Sequence, residues 1–308
     1  MKIGFAGTPD FACPTFELLN KHHTISFVLT QPDRPRGRGQ KVQPSPIKTL
    51  AQHADIPVYQ PEKIHIDPWK KVISQHDIDV LVVVSYGLYI PQWLIDHPKY
   101  ECLNIHPSKL PRWRGASPLH SALLNGDKET AVCIMRIVKE MDAGPIFKSQ
   151  TVPITSNTNY QNLHDDLAVK GAQLMQDVIV MLPNKAPVDQ AIDGITHAEK
   201  LTKQSHWYDP QWTAQQLHQH IQAFYPKPGV QTLADDTPLK IIWGVPSENP
   251  STKAPGYVSV HKDYWSLATT TVDYHISHIQ WTGKKVTHIN QTQITKNSHL
   301  QIIRPQTP

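Results

Sequence analysis

The chain has 308 residues, 39% hydrophobic and 8% aromatic, with 27 prolines, 14 glycines and a formal net charge of +4. That length is ample for two domains, and so mild a basic excess excludes a histone-like polycation and favours acidic partners only weakly. Three cysteines, Cys13, Cys102 and Cys133, give an odd count without C-x-x-C spacing; this argues against a disulfide framework or a cysteine zinc site and predicts a reducing, cytoplasmic setting.

Residues 2–6 are an apolar run punctuated by Gly7-Thr8-Pro9-Asp10, and residues 11–20 carry helical spacing with Asp10 as the expected cap. Strand, turn and helix open an α/β domain. Gly4 and Gly7 do not make a G-x-G-x-x-G fingerprint, so a dinucleotide site is not expected. Nor does the start of the chain carry the longer apolar segment of a signal peptide. Residues 24–30 read as a second strand. Residues 31–48 then hold Arg34, Arg36, Arg38, Lys41 and Lys48 against Asp33. Their prolines and glycines exclude a regular helix and predict a long basic loop. Such a run is most often a solvated surface, but forked donors on a bendable backbone also suit contact with phosphates.

Helices are expected over 47–53 and 68–75, with a short strand at 57–59. The run 80–85, VLVVVS, reads as a central parallel strand buried on both faces, and 80–84 within it is apolar throughout. Residues 80–84 are the longest apolar run and far too short to span a membrane. Strands alternating with helices predict a doubly wound, mostly parallel, Rossmann-like sheet, with ligands off the carboxyl ends of its strands. Leu88 and Ile90 follow the central strand and border that edge. A strand over 100–105 delivers Asn104 and His106 to the same edge, and their spacing of two aims both side chains to one side. A helix over 116–125, a strand over 130–137, a loop carrying Asp142, a strand over 146–153 and a long helix over 158–182 complete the first domain.

Residues 183–206 are polar and irregular and read as a linker. A short helix over 213–224 is followed by short strands at 230–233, 239–245, 256–261, 265–269 and 274–281, the pattern of a small OB-like β-barrel. The expected organisation is a catalytic domain over 1–188, a linker over 189–206 and a barrel domain over 207–308. No heptad run demands a dimer, and a monomer is expected.

Asn104, His106 and Asp142 form a chemically coherent set. An amide N–H and an imidazole N–H can hold a developing oxyanion, and a carboxylate beside the imidazole can set its tautomer and help move a proton. This suits acyl or formyl transfer to an amine without a serine or cysteine nucleophile. Taken singly, each has a structural explanation: a turn former, one of eighteen histidines, a cap. No H-x-x-x-H or H-E-x-x-H accompanies His106 and no G-x-S-x-G occurs, so neither a zinc site nor a serine hydrolase is expected.

The string Asn104-x-His106-x-Ser108-x-Leu110-Pro111, followed by Arg114-Gly115 and by Met141-Asp142-Ala143-Gly144, resembles the signature of the folate-dependent formyltransferases. The resemblance implies the formyltransferase fold and assigns Asn104, His106 and Asp142 as catalytic. It implies that Ser108, Lys109, Leu110 and Pro111 line a folate site, with Leu88, Ile90 and residues 138–142 walling the pterin pocket. Lys109 departs from the leucine more usual in the family. Gly7-Thr8-Pro9-Asp10-Phe11, the basic loop, Ala198-Glu199-Lys200-Leu201 and a β-rich second domain resemble the members that formylate methionyl initiator tRNA. That resemblance implies 10-formyltetrahydrofolate as donor, no metal, and tRNA contact through Arg34, Arg36, Arg38 and Lys41. Arg38 is the foremost of these. The second domain carries only a small excess of cations and is expected to meet the tRNA backbone by shape and phosphate.

Overall fold

A computed structural model of the chain describes residues 1–36, 39, 41–292 and 300–305. The chain divides into two compact units. One comprises Met1–Pro118, Glu129–Pro153 and His164–Ala198; the other comprises Leu119–Lys128, Ile154–Leu163 and Glu199–Pro308.

Through the first part of the chain the elements are β1 (Lys2–Gly7), α1 (Cys13–His22), β2 (Thr24–Leu29), β3 (Arg34–Arg36), β4 (Lys41–Gln43), α2 (Pro46–His53), β5 (Val58–Tyr59), α3 (Asp67–Ile73), β6 (Val80–Val84), α4 (Gln92–Ile95) and β7 (Glu101–His106). They continue with β8 (Arg114–Gly115), α5 (Pro118–Leu124), β9 (Glu129–Arg136), β10 (Ile146–Pro153), α6 (Tyr160–Met181) and β11 (His197–Ala198). Seven strands make one sheet in the order β10-β9-β7-β6-β1-β2-β5. The strands from β7 to β5 run parallel, with Ile3 opposite both Ile25 and Val80; β9 alone is reversed, pairing antiparallel with both β7 and β10. This is the expected doubly wound, mostly parallel sheet.

The β-branched run of β6 is buried at every position. A parallel strand covered on both faces needs that composition, and each such side chain contributes roughly 1.5–3 kcal/mol on burial. From β1 the chain moves outward to β2 and later returns to β6 on the other side. The topological switch point therefore lies between β1 and β6, at whose carboxyl ends such sheets hold ligands.

Two local expectations change. Asp10 does not cap α1: it lies in a 3₁₀ turn, and the N-cap is Ala12, without a side-chain bond. Pro14 in the first turn already lacks an N–H, so one fewer donor needs a cap. The basic loop contains a two-stranded ribbon. Arg34 pairs with Gln43 and Arg36 with Lys41, and Pro35 is tolerated because a two-stranded ribbon is all edge. Arg38 lies outside the described residues.

The second unit contains α7 (Ala214–Phe224), β12 (Val230–Ala234), β13 (Thr237–Pro250), β14 (Tyr257–Val260), β15 (Trp265–Leu267), β16 (Val272–Trp281), β17 (Thr287–His288) and β18 (Leu300–Ile303). The α7 helix starts in a capping box between Thr213 and Gln216, which satisfies two orphan donors at once. Strand order β13-β12-β18-β14-β15-β16, with β16 pairing back to β13, closes a six-stranded antiparallel barrel. Trp265, Tyr274, Ile241 and Ile276 fill it. β18 was not among the expected strands, yet it closes the ring between β12 and β14. Among the described residues, no helix is long and apolar enough to cross a membrane.

Candidate active site

β7 carries its odd-numbered and even-numbered side chains to opposite faces. Leu103 and Ile105 enter the core, Asn104 is half-buried and His106 is buried. Register holds the strand firmly: Asn104 sits opposite Val83 of β6 and Met135 of β9, and His106 opposite Cys133.

Asp142 reaches His106 from the loop between β9 and β10. Its Oδ2 lies 3.6 Å from Nδ1 of His106. The other ring nitrogen, Nε2, is 2.9 Å from the carbonyl oxygen of Trp113. A carbonyl only accepts, so Nε2 carries the hydrogen. The tautomer is therefore set by Trp113, where the sequence suggested Asp142. The nitrogen facing Asp142 is the one free to exchange a proton.

Backbone donors fix Asp142 in turn. The N–H of Gly115 donates to Oδ2 at 2.9 Å. Asp142 itself adopts φ 52°, in the left-handed region, where a non-glycine residue persists only if its surroundings hold it. Gly144 has a steric reason: a Cβ there would stand 1.9 Å from the carbonyl oxygen of Arg136. The glycine of Met141-Asp142-Ala143-Gly144 is thus required by a close backbone approach.

The segment expected to be a linker contributes to this site. Residues His197 and Ala198 of β11 pair with Arg114 and Gly115 of β8. Thr196 accepts from the Trp113 N–H through its Oγ1 at 2.9 Å and from the Arg114 N–H through its carbonyl at 2.9 Å. Gln190 donates to the carbonyl oxygens of Asp142 and Gly144, both at 2.8 Å. None of Trp113, Gln190 and Thr196 was singled out from the sequence. Arg114 and Gly115 were seen as a motif without a role.

The residues expected to line a folate site take varied positions. Ser108 is fully buried and donates to the carbonyl of Arg112 at 2.7 Å, bracing its own loop. Lys109 is exposed and pairs with Glu129. Leu110 is buried against Cys133, Met135 and Ile146, while Pro111 is half-buried. Ile90 is buried and Leu88 partly buried in the cluster around Tyr86 and Val83. The rim there is stiff, because the Tyr86 carbonyl accepts from Thr8 Oγ1 at 3.0 Å and from Gln31 Nε2 at 3.2 Å. These bonds tie the loop after β6 to those after β1 and β2.

Cys133 is no nucleophile: burial pushes its thiol up to about 11, and Cys102 is raised further for the same reason. No group of three or more His, Cys, Asp or Glu residues that could hold a metal ion occurs among the described residues. At the ribbon, Arg34 and Lys41 are exposed. Asp33 at its base binds Lys48 at 2.7 Å and accepts from Gln60 at 2.8 Å, which anchors the start of the ribbon.

The family profile of formyl transferases matches residues 1–179, and that of the formyl transferase C-terminal domain matches residues 200–296. The methionyl-tRNA formyltransferase of Hydrogenovibrio crunogenus is 41% identical over 290 residues, 92% of this chain and 93% of its own. That of Methylobacillus flagellatus is 45% identical over 234 residues, 74% of this chain and 75% of its own. Among solved structures, a sugar 3N-formyl transferase crystallised with dTDP and 5-N-formyl-THF superposes with a TM-score of 0.68 at 18% identity, over 92% of this chain and 99% of that one. The methionyl-tRNA formyltransferase of Clostridium thermocellum superposes with a TM-score of 0.57 at 13% identity, over 80% of this chain and 94% of that one. At those identities the superpositions speak to the fold; the full-length sequence relatives and both profiles place this chain in the family of methionyl-tRNA formyltransferases.

Proposed function

We propose that the chain transfers the formyl group of 10-formyltetrahydrofolate to the amino group of methionyl initiator tRNA. The observation that carries the reading is the His106–Asp142 pair at the carboxyl end of β7, in a chain whose relatives bear that activity as their name. The amine nitrogen attacks the formyl carbon, a tetrahedral oxyanion forms, and the bond from that carbon to the folate nitrogen breaks. Asn104 donates to the oxyanion. His106, with Nε2–H held on Trp113, takes the proton of the attacking amine on Nδ1, directly or through water. The imidazolium so formed faces the Asp142 carboxylate, stabilises the oxyanion by its charge, and returns the proton to the departing nitrogen.

The folate lies along Ser108, Lys109, Leu110 and Pro111 with its pterin toward Leu88 and Ile90. Arg34, Arg36, Arg38 and Lys41 meet acceptor-stem phosphates, and the protein works as a cytoplasmic monomer. Residues 1–188 form the catalytic domain, 189–206 the connection and 207–308 the barrel that supports tRNA.

The test is formyl transfer from 10-formyltetrahydrofolate to charged initiator tRNA, charged elongator methionine tRNA and free methionine. Transfer confined to the charged initiator is expected. Transfer to small amino-sugars and none to charged tRNA would overturn the substrate. In the same assay Asn104→Ala is expected to lower kcat about a hundred- to thousand-fold, the usual cost of one oxyanion donor.

A further inference from the structure

Gln190 lies between the two family profiles, outside the residues either one matches, yet its side chain has the most determinate bonding near the site. Its Nε2 donates to the carbonyl oxygens of Asp142 and Gly144, each at 2.8 Å. Its Oε1 accepts from Arg114 twice, from Nε at 3.0 Å and from Nη2 at 2.8 Å. The amide orientation is chemically forced: two carbonyls can only accept, and a guanidinium can only donate. Arg114 is 7% exposed. A carboxylate oxygen of Glu140 is 3.7 Å from Arg114, and Glu140 itself is largely exposed. A buried cation bonded twice to one amide oxygen polarises that amide and strengthens its N–H groups as donors.

The two carbonyls it grips are those of the residue with φ 52° and of the glycine two positions on. Gln190 therefore closes the turn that carries Asp142 from behind, while Gly115 holds the Asp142 carboxylate from the front. From this we infer that Gln190 is a positioning residue for formyl transfer: it fixes the left-handed turn that presents Asp142 to His106, and Arg114 acts through it. The inference rests on the functional reading above for its kinetic consequence but not for its structural one.

Chemistry also explains why glutamine is needed. Glutamate would keep the Arg114 contact, yet it would turn a carboxylate toward two carbonyl oxygens and add a charge beside Asp142. Methionine would keep the volume and lose all four hydrogen bonds.

The experiment uses the full chain with Gln190→Met and Gln190→Glu, each alone and combined with Asp142→Asn. The first readout needs no activity: amide hydrogen exchange by NMR. In Gln190→Met the Gly115 N–H, which binds Asp142, is expected to lose protection by about tenfold or more, as a local opening would give. The adjacent Ala116 N–H, bonded to Ala198 at 2.9 Å, is expected to keep its protection. Unchanged protection of Gly115, or equal loss at both amides, would overturn the inference. The second readout is kinetic. Each single variant is expected to lower kcat about a hundredfold, the scale of a small misplacement of a catalytic group, with KM for the formyl donor within about twofold. In the Asp142→Asn background the Gln190 change is expected to cost no further activity, because both act through one group. A full additional loss there would mean that Gln190 acts elsewhere. A wild-type chain inactive on every acceptor would refute the functional reading and leave the exchange result to judge Gln190.

Discussion

One oxygen of Asp142 serves two partners: Oδ2 accepts from the Gly115 N–H at 2.9 Å and stands 3.6 Å from Nδ1 of His106. A backbone donor cannot swing away as a side chain can. The carboxylate is thus aimed at the imidazole by the main chain of β8, which is itself pinned by β11.

Asp142→Asn retains the shape and the acceptor for Gly115 but removes the charge that stabilises an imidazolium. Folding is expected to be preserved, with the thermal midpoint within a few degrees of wild type. Turnover is expected to fall about 10²–10⁴-fold, the range for general acid–base groups. Steady-state formyl transfer beside calorimetry checks this; near-normal turnover would remove Asp142 from the proton path.

Gly144→Ala asks for a Cβ 1.9 Å from the Arg136 carbonyl oxygen. Backbone must shift to admit it, at a cost of about 1–3 kcal/mol. Denaturant unfolding measures that cost. Because the turn bearing Asp142 moves with Gly144, the loss in kcat is expected to exceed what residual unfolding explains.

The ribbon supplies a salt-dependent prediction. Arg34 and Lys41 are exposed on a turn anchored by Asp33 and Lys48. Replacing either by alanine is expected to weaken tRNA binding and to lower the slope of log K against log salt by about 0.7–0.9. The thermal midpoint is expected to be unaffected, since both side chains are exposed. Filter binding at several salt concentrations decides it, and an unaltered slope would place the ribbon away from phosphate.

Acid sensitivity should concentrate in the unit that contains the barrel. Burial lowers His120 to about 4, where its ring lies tilted against that of Tyr160 with ring centres 4.2 Å apart. His206, His218, His220, His275 and His278 are lowered too, each chiefly by burial. A histidine whose folded value lies below its unfolded value favours unfolding on protonation. Its contribution is therefore complete above pH ~6.5 and lost as pH falls toward 4. For His120 alone the loss is at most about 3 kcal/mol. Urea unfolding at pH 7.5 and 5 should show the drop, and His120→Gln should flatten it; an identical pH slope in that variant would refute the assignment.

How much of this was legible depended on the range of the signal. The β6 run and the spacing of Asn104 and His106 are local, so the parallel sheet and the place of these two residues on one strand of it followed from residue pattern alone. The pairing of Asp142 with His106 was legible only through a family resemblance, because nothing local states that residues 36 positions apart meet. Gln190 and Thr196 were invisible for a physical reason. Their function is to satisfy backbone groups of Trp113, Arg114, Asp142 and Gly144, and a polar residue in an irregular stretch looks the same whether it faces water or a distant carbonyl. β18 was missed likewise. Four residues, Leu300–Ile303, are too few for their alternation to stand out, and their place between β12 and β14 is dictated by the ring.

The pairing of β11 with β8 also has a temporal meaning. All seven strands of the first sheet are complete by Pro153, so a nascent chain can assemble the sheet and β7 with its histidine well before it makes Gln190 or His197. At that stage Asp142 has neither its rear clamp nor the strand that steadies Gly115. The bracing of Asp142 therefore arrives some forty residues after the sheet, and a ribosome-bound chain that has built its sheet has yet to build the supports of this loop.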